Sequence, residues 1–337
     1  MEISKSESTA LNNMRGIAAI HVVFSHTGLM SMVFGQMTIW VNEFFSPVRI
    51  FFLISGFLIP ISITKYGIKH FFISRVFRLL PVMLFIDLLK FANPKTILIS
   101  SSVMFNFLCT IPVSHVYWSL EIEYFFYFFF AVSYLIHRKL NVYNILITIA
   151  IMLLLYFTSA VFNLTNFKII FSHYLNSITF ILAGSMLYLY RTSKMKYLYS
   201  IIIVILASVF VIIFPQGKFE PNIQAALSKI YVIFLYNNWG PEVKWWILEN
   251  FAIIAFLFGY KFLRFESKIL LFLANISYPL YLIHLHILSF VAKLSDGYFG
   301  KIIAILLSII CAYMIHIFIE KRFIQYGKKL ANNLSRS

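Results

Sequence analysis

The sequence predicts an all-α polytopic membrane protein with ten transmembrane helices and both termini in the cytosol. Three observations predict it. Hydrophobic residues make up 61% of the 337-residue chain and charged ones 12%, too few polar groups to build a water-facing surface. Apolar runs of about 20 residues recur, each long enough to cross a hydrocarbon core about 30 Å thick. The Lys and Arg residues behind the net charge of +16 are scattered over short connections and concentrate on one set of them. That is positive-inside topology rather than a nucleic-acid surface.

The spans are expected near 11-34, 43-63, 76-93, 119-137, 141-160, 171-190, 197-214, 244-263, 269-292 and 300-320, bounded by charges or by Pro, Gly and Asn. The first is too long, and too polar inside, for a cleaved signal peptide, so it is expected to stay as a helix. Two further apolar stretches, 96-112 and 223-236, are expected on the outer side as interfacial or re-entrant helices, because a single crossing by either would invert every later basic loop. In the second, Ile223, Leu227, Ile230, Tyr231 and Phe234 share one helical face. No repeat, low-complexity tract or soluble domain interrupts the chain, which is expected to form one membrane unit over 1-337. Cys109 and Cys311 sit in apolar surroundings and read as packing, with no metal site and no disulfide framework. No Gly-rich phosphate loop is present.

Polar residues inside these runs are the candidates for chemistry. In "RGIAAIHVVFSH" (15-26), the helical rise places His26 about 16 Å deeper than Arg15, near mid-membrane if Arg15 marks the cytosolic edge. Arg15 fits an interfacial anchor. His26 fits a functional path, since intramembrane ionisable groups usually line one and an imidazole is the natural general base near neutral pH. In "ISRVFRLLP", Arg75 and Arg78 share a face at the cytosolic entrance of the third span. They suit both positive-inside anchoring and a fork for phosphates. With Arg15 they form an expected cytosolic polyphosphate dock whose ligand extends toward His26.

Arg49 and Glu123 lie at similar depth on two inward-running spans, and an ion pair between them is expected because a lone charge there is costly. Asp87 and Lys90, at i and i+3, most simply neutralise each other. His21 lies off the face of His26 and reads as structural, and His284 and His286 straddle two faces of the ninth span. Ser55 and Gly56 suit a close helix approach, with a functional hydroxyl second. A transporter or flippase for an anionic sugar or lipid would use the same arginines and histidine without making a bond, and composition leaves that alternative open.

Six segments in order resemble the membrane acyltransferase-3 family. Arg15 to His26 resembles its opening Arg-x10-His, "FFLISGFLI" (51-59) its second-helix motif, and "RVFRLLP" its Arg-x-x-Arg entrance to helix three. "YWSLEIEYFFY" (117-127) resembles its Trp-Ser-Leu-x-x-Glu run, "ISYPLYLIHLHI" (276-287) its late Ser-Tyr segment, and "FIEKRF" (318-323) its closing Glu-containing turn.

The resemblance implies ten helices and transfer of an acyl group, commonly acetyl from cytosolic acetyl-CoA, with no metal. The implied acceptor is a carbohydrate such as an O-antigen, a capsule or another surface glycan, and the implied setting is a bacterial inner membrane. It implies His26 and Glu123 as catalytic, Arg15, Arg75 and Arg78 as donor-binding, and Ser55, Ser119 and His284 as support. Two departures stand out. Arg49 replaces a small or acidic residue common in the family, and Glu320 is followed by Lys321 and Arg322 where many members have x-Pro. Tyr231, Tyr236, Trp239, Trp245 and Trp246 crowd one outer connection, as an interfacial belt or as rings for a sugar, and Trp239 is the candidate there for acceptor selection.

Overall fold

A computed structural model describes residues 3-35, 46-90, 116-137, 143-144, 146-148, 150-151, 154, 165-193, 241-295 and 297-334. Among them the chain is helical, with no strand. Helix α1 (Lys5–Thr27) opens on a capping box: the Ser4 hydroxyl accepts from the Glu7 backbone N–H, and the Glu7 carboxylate accepts from the Ser4 N–H at 2.8 Å. Gly28, at φ 68°, ends it and leads into the short α2 (Leu29–Phe34). Helix α3 (Pro47–Lys90) starts with Pro at its first position, where a missing N–H costs nothing.

Helices α4 (Trp118–His137), α5 (Thr165–Ser193) and α6 (Pro241–Phe262) follow. The short α7 (Lys268–Asn275), capped by the Ser267 hydroxyl, meets α8 (Ser277–Ala292) at a bend of 71°. Helix α9 (Tyr298–Ile315) continues through a π turn (His316–Glu320) into α10 (Lys321–Leu334).

This architecture overturns the expected ten transmembrane helices. Among the described residues three helices are long and apolar enough to cross a membrane: α3, α4, and the continuous stretch from Tyr298 to Leu334. A fourth is reached if the bent α7–α8 pair counts as one span. Apolar runs and helices are different units, which is why the expectation failed. The runs 43-63 and 76-93 are two arms of the 44-residue α3, joined without a loop where Gly67 turns the chain at φ 78°. The run 11-34 is broken at Gly28, and the run 269-292 at Ile276. The run 171-190 falls within α5 and the run 244-263 ends one residue past α6, while the expected elements at 197-214, 96-112 and 223-236, and most of 141-160, lie outside the described residues.

Lipid offers apolar side chains no driving force to leave it, so close packing and buried polar bonds hold such helices together. Helix α3 packs most extensively on α5, and small residues permit the approach. A Cβ added at Gly56 would lie 1.8 Å from the Ile181 carbonyl oxygen, and one at Gly184 would lie 2.1 Å from that of Leu53. The Ser185 hydroxyl donates across the crossing to the Gly56 carbonyl at 2.9 Å.

Helix α1 threads between α3, α6, α7 and α8. The Asn13 amide donates to the carbonyls of Leu263 and Phe265, at 3.0 and 2.7 Å, and so fixes the connection from α6 to α7. At the same end Glu7 takes Arg191 of α5 at 2.6 Å and the Tyr260 hydroxyl of α6 at 2.5 Å. Helix α10 packs along the second arm of α3, with Gly327 seated on Phe77.

Candidate functional site

Helical spacing brings polar groups from four elements to one cavity of about 90 Å³, room for about three waters. Helix α1 contributes Arg15. Helix α3 contributes Ser55 from its first arm and Arg75 and Arg78 from its second. Helix α4 contributes Ser119, Glu123 and Tyr127, four residues apart and therefore on one face, and α8 contributes Ser277, Tyr278 and Tyr281. Three guanidiniums thus surround a cavity that holds one carboxylate, a strongly anion-seeking arrangement in a low-dielectric setting.

The polar atoms around it are tethered. Glu123 Oε1 accepts from the Ser55 hydroxyl at 2.6 Å and also from the Tyr127 hydroxyl. The Arg75 guanidinium lies over the rings of Tyr127 and Phe71, 5.4 Å from each centroid. Arg78 Nε lies 3.7 Å from Glu320 Oε1. The hydroxyls of Ser119 and Tyr281 are hydrogen-bonded at 2.8 Å, and the Tyr278 hydroxyl donates to the Leu79 carbonyl at 2.9 Å.

His26 does not line this cavity. It is exposed, with its ring 5.1 Å from that of the fully buried His284. The two rings make parallel arrangements with the backbone. His26 Nδ1 lies 2.9 Å from the Val22 carbonyl, and His284 Nδ1 lies 2.8 Å from that of Tyr281. A carbonyl can only accept, so each Nδ1 donates, and in the neutral form of either ring the lone pair is on Nε2. Buried His284 Nε2 has no hydrogen-bond partner among the described residues. Tyr281 joins the two regions: it lines the cavity, and its ring is 6.1 Å from that of His284.

The residues expected from the sequence therefore fall in two adjacent groups. Arg15, Arg75, Arg78, Ser55, Ser119 and Glu123 surround the cavity, and His26 and His284 stand beside it. Arg49 is absent from the cavity lining; its guanidinium lies 5.5 Å over the Phe180 ring, while Ser55 and Tyr127 bond Glu123. Asp87 is buried and accepts from the Tyr117 hydroxyl at 2.9 Å. Trp239 lies outside the described residues.

Sequence reasoning missed Tyr127, Tyr281 and His316, and noted Glu320 only as the Glu of the closing motif, without its partners. Tyr127 was findable, four residues after Glu123 on the same face, and Tyr281 lies three residues before His284 in a segment already singled out. Among the described residues no group of three or more His, Cys, Asp or Glu side chains gathers as a metal site.

No curated protein and no solved structure matches the chain significantly. A family model described as an acyltransferase domain matches residues 8–319, nearly its whole length. The protein, a membrane-embedded acyltransferase by that match, belongs to the membrane acyltransferase-3 family.

Proposed function

We propose that the protein moves an acetyl group from acetyl-CoA to a hydroxyl of a cell-surface or lipid-linked carbohydrate, in a bacterial cytoplasmic membrane with the arginine-lined side toward the cytosol. One observation carries this reading. Three guanidiniums surround a single cavity that Tyr281 and His284 link to His26, whose Nε2 is the proposed base. Arg15, Arg75 and Arg78 hold the phosphates of the donor, and its thioester arm extends along α1 toward His26, about 16 Å away on the helical rise. Glu123, bonded by Ser55 and Tyr127, supplies the negative charge that keeps the three cations together.

In the transfer, His26 Nε2 takes the proton of the acceptor hydroxyl as its oxygen attacks the thioester carbonyl. The C–S bond breaks and the ester forms. The leaving thiolate then recovers the proton from the imidazolium, so the reaction neither takes up nor releases a proton overall. Tyr281, between cavity and histidines, is placed at the reacting end.

The test expresses the wild type and His26→Ala at matched membrane levels and measures base-labile acetate on the host's surface glycans. Acetate with the wild type alone supports the reading. Equal acetate with both removes His26 from the chemistry, and no acetate with either, although the wild type consumes acetyl-CoA, sinks the carbohydrate acceptor.

A further inference from the structure

The π turn after α9 ends at a carboxylate that the mechanism above does not use. Glu320 is 1% exposed. A carboxylate that deep stays charged only with partners, and among the described residues it has two. The His316 imidazole donates from Nδ1 to Oε2 at 2.6 Å, and Arg78 Nε approaches Oε1 to 3.7 Å. The π turn inserts one residue into the helical repeat and rotates everything after it by about 100° relative to α9. Beyond it, Glu320, Gly327 and Ala331 are buried, and Gly327 seats on Phe77, the neighbour of Arg78. The rotation thus turns a single acidic group toward the second arm of α3.

We infer that Glu320 is the positioning residue for Arg78, held by His316 and turned to α3 by the π turn, and that it fixes how Arg78 presents itself to a polyphosphate anion. This deepens the donor-dock reading and rests on it. Arg15, Arg75 and Arg78 repel one another around one cavity, so an untethered guanidinium would swing away when the site is empty. Arg75 is restrained by two aromatic rings and Arg78 by Glu320. Because the carboxylate approaches the Nε edge, both terminal nitrogens of Arg78 remain for a bidentate anion contact.

The experiment measures binding of acetyl-CoA and, separately, of inorganic pyrophosphate to the purified full-length protein. It compares the wild type, Glu320→Gln, Glu320→Asp, Arg78→Gln and the double variant Arg78→Gln/Glu320→Gln. Glu320→Gln is expected to weaken both probes about tenfold, Glu320→Asp to recover most of that loss, and Glu320→Gln to add nothing once Arg78 is gone. Unchanged binding in Glu320→Gln overturns the inference, as does an equal loss on both backgrounds.

Should Glu320→Gln fail to fold, His316→Gln loosens the carboxylate while keeping it, and is expected to weaken both probes only when Arg78 is present. A loss independent of Arg78 overturns the inference in that format too. A wild type that binds pyrophosphate but not acetyl-CoA defeats the donor reading, while the Glu320 comparison is still decided on pyrophosphate. Binding of neither probe defeats both.

Discussion

The cavity and the histidine pair are neighbours built on opposite plans. Around the cavity, Glu123 is bonded by two hydroxyls, Arg75 lies over two aromatic rings, and Arg78 faces a buried carboxylate. In the pair, the backbone-facing nitrogen of each ring is committed, and buried His284 Nε2 has no hydrogen-bond partner among the described residues. A group that must hold an anion in one pose gains from being fixed beforehand, since ordering it at the moment of binding costs affinity. A group that must accept and return a proton needs an open lone pair within reach of its substrate. On the proposed function, the contrast separates the half that would bind the donor from the half that would move the proton.

Four substitutions sharpen or break that contrast, from largest effect to smallest. His26→Ala is expected to lower acyl transfer by about 10²–10⁴-fold while acetyl-CoA binding is retained. A parallel loss of binding would merge the two halves into one. Arg78→Lys keeps the charge but loses the fork, and the donor KM is expected to rise about tenfold with kcat nearly unchanged. A fall in kcat at constant KM would place Arg78 at the reacting centre instead.

Tyr127→Phe keeps the ring under Arg75 and removes the hydroxyl from Glu123, for an expected donor KM increase of about fivefold. An effect as large as that of Arg78→Lys would mean that Glu123, not Arg75, dominates that corner.

The smallest effect belongs to the exposed pair of Lys5, the first residue of α1, with Glu266 on the connection between α6 and α7, 2.8 Å apart. The hydrogen bond and charge of Lys5 hold the Glu266 carboxyl below its ordinary range. A depressed carboxyl supports the fold above its ordinary pKa and loses that support as pH falls through the lowered value. Solvent and salt screen so exposed a pair, so Lys5→Ala is expected to leave the thermal midpoint unchanged at neutral pH. A clear drop at neutral pH that vanishes in acid would give this contact a weight it is not expected to have.

Much of the site was legible because its signals are local. Arg75 with Arg78 is a helix-face pair that spacing defines, while Ser119 and Glu123 came with the family resemblance of the run at 117-127. Partners far apart in the chain were not legible. Nothing in the sequence near Arg78 announces Glu320, and Ser119 meets Tyr281 only because α4 packs beside α8. The number of spans failed for a related reason. Hydropathy falls at Lys65 and Lys69 whether the chain leaves the helix there or turns on a glycine, and only the positive φ of Gly67 separates the two.

Asn13 bears on the same question of long-range placement. Its amide grips two carbonyls about 250 residues away, so α1 is keyed like a bolt in a keyway to the chain that leads into α7 and α8. A slip of α1 by a single residue would carry His26 about 1.5 Å along the axis and swing it about 100° around, out of alignment with His284. The amide that sets this register sits two residues from Arg15, and the tolerance of the whole assembly is gauged there, more than a dozen residues from the imidazole it keeps in line.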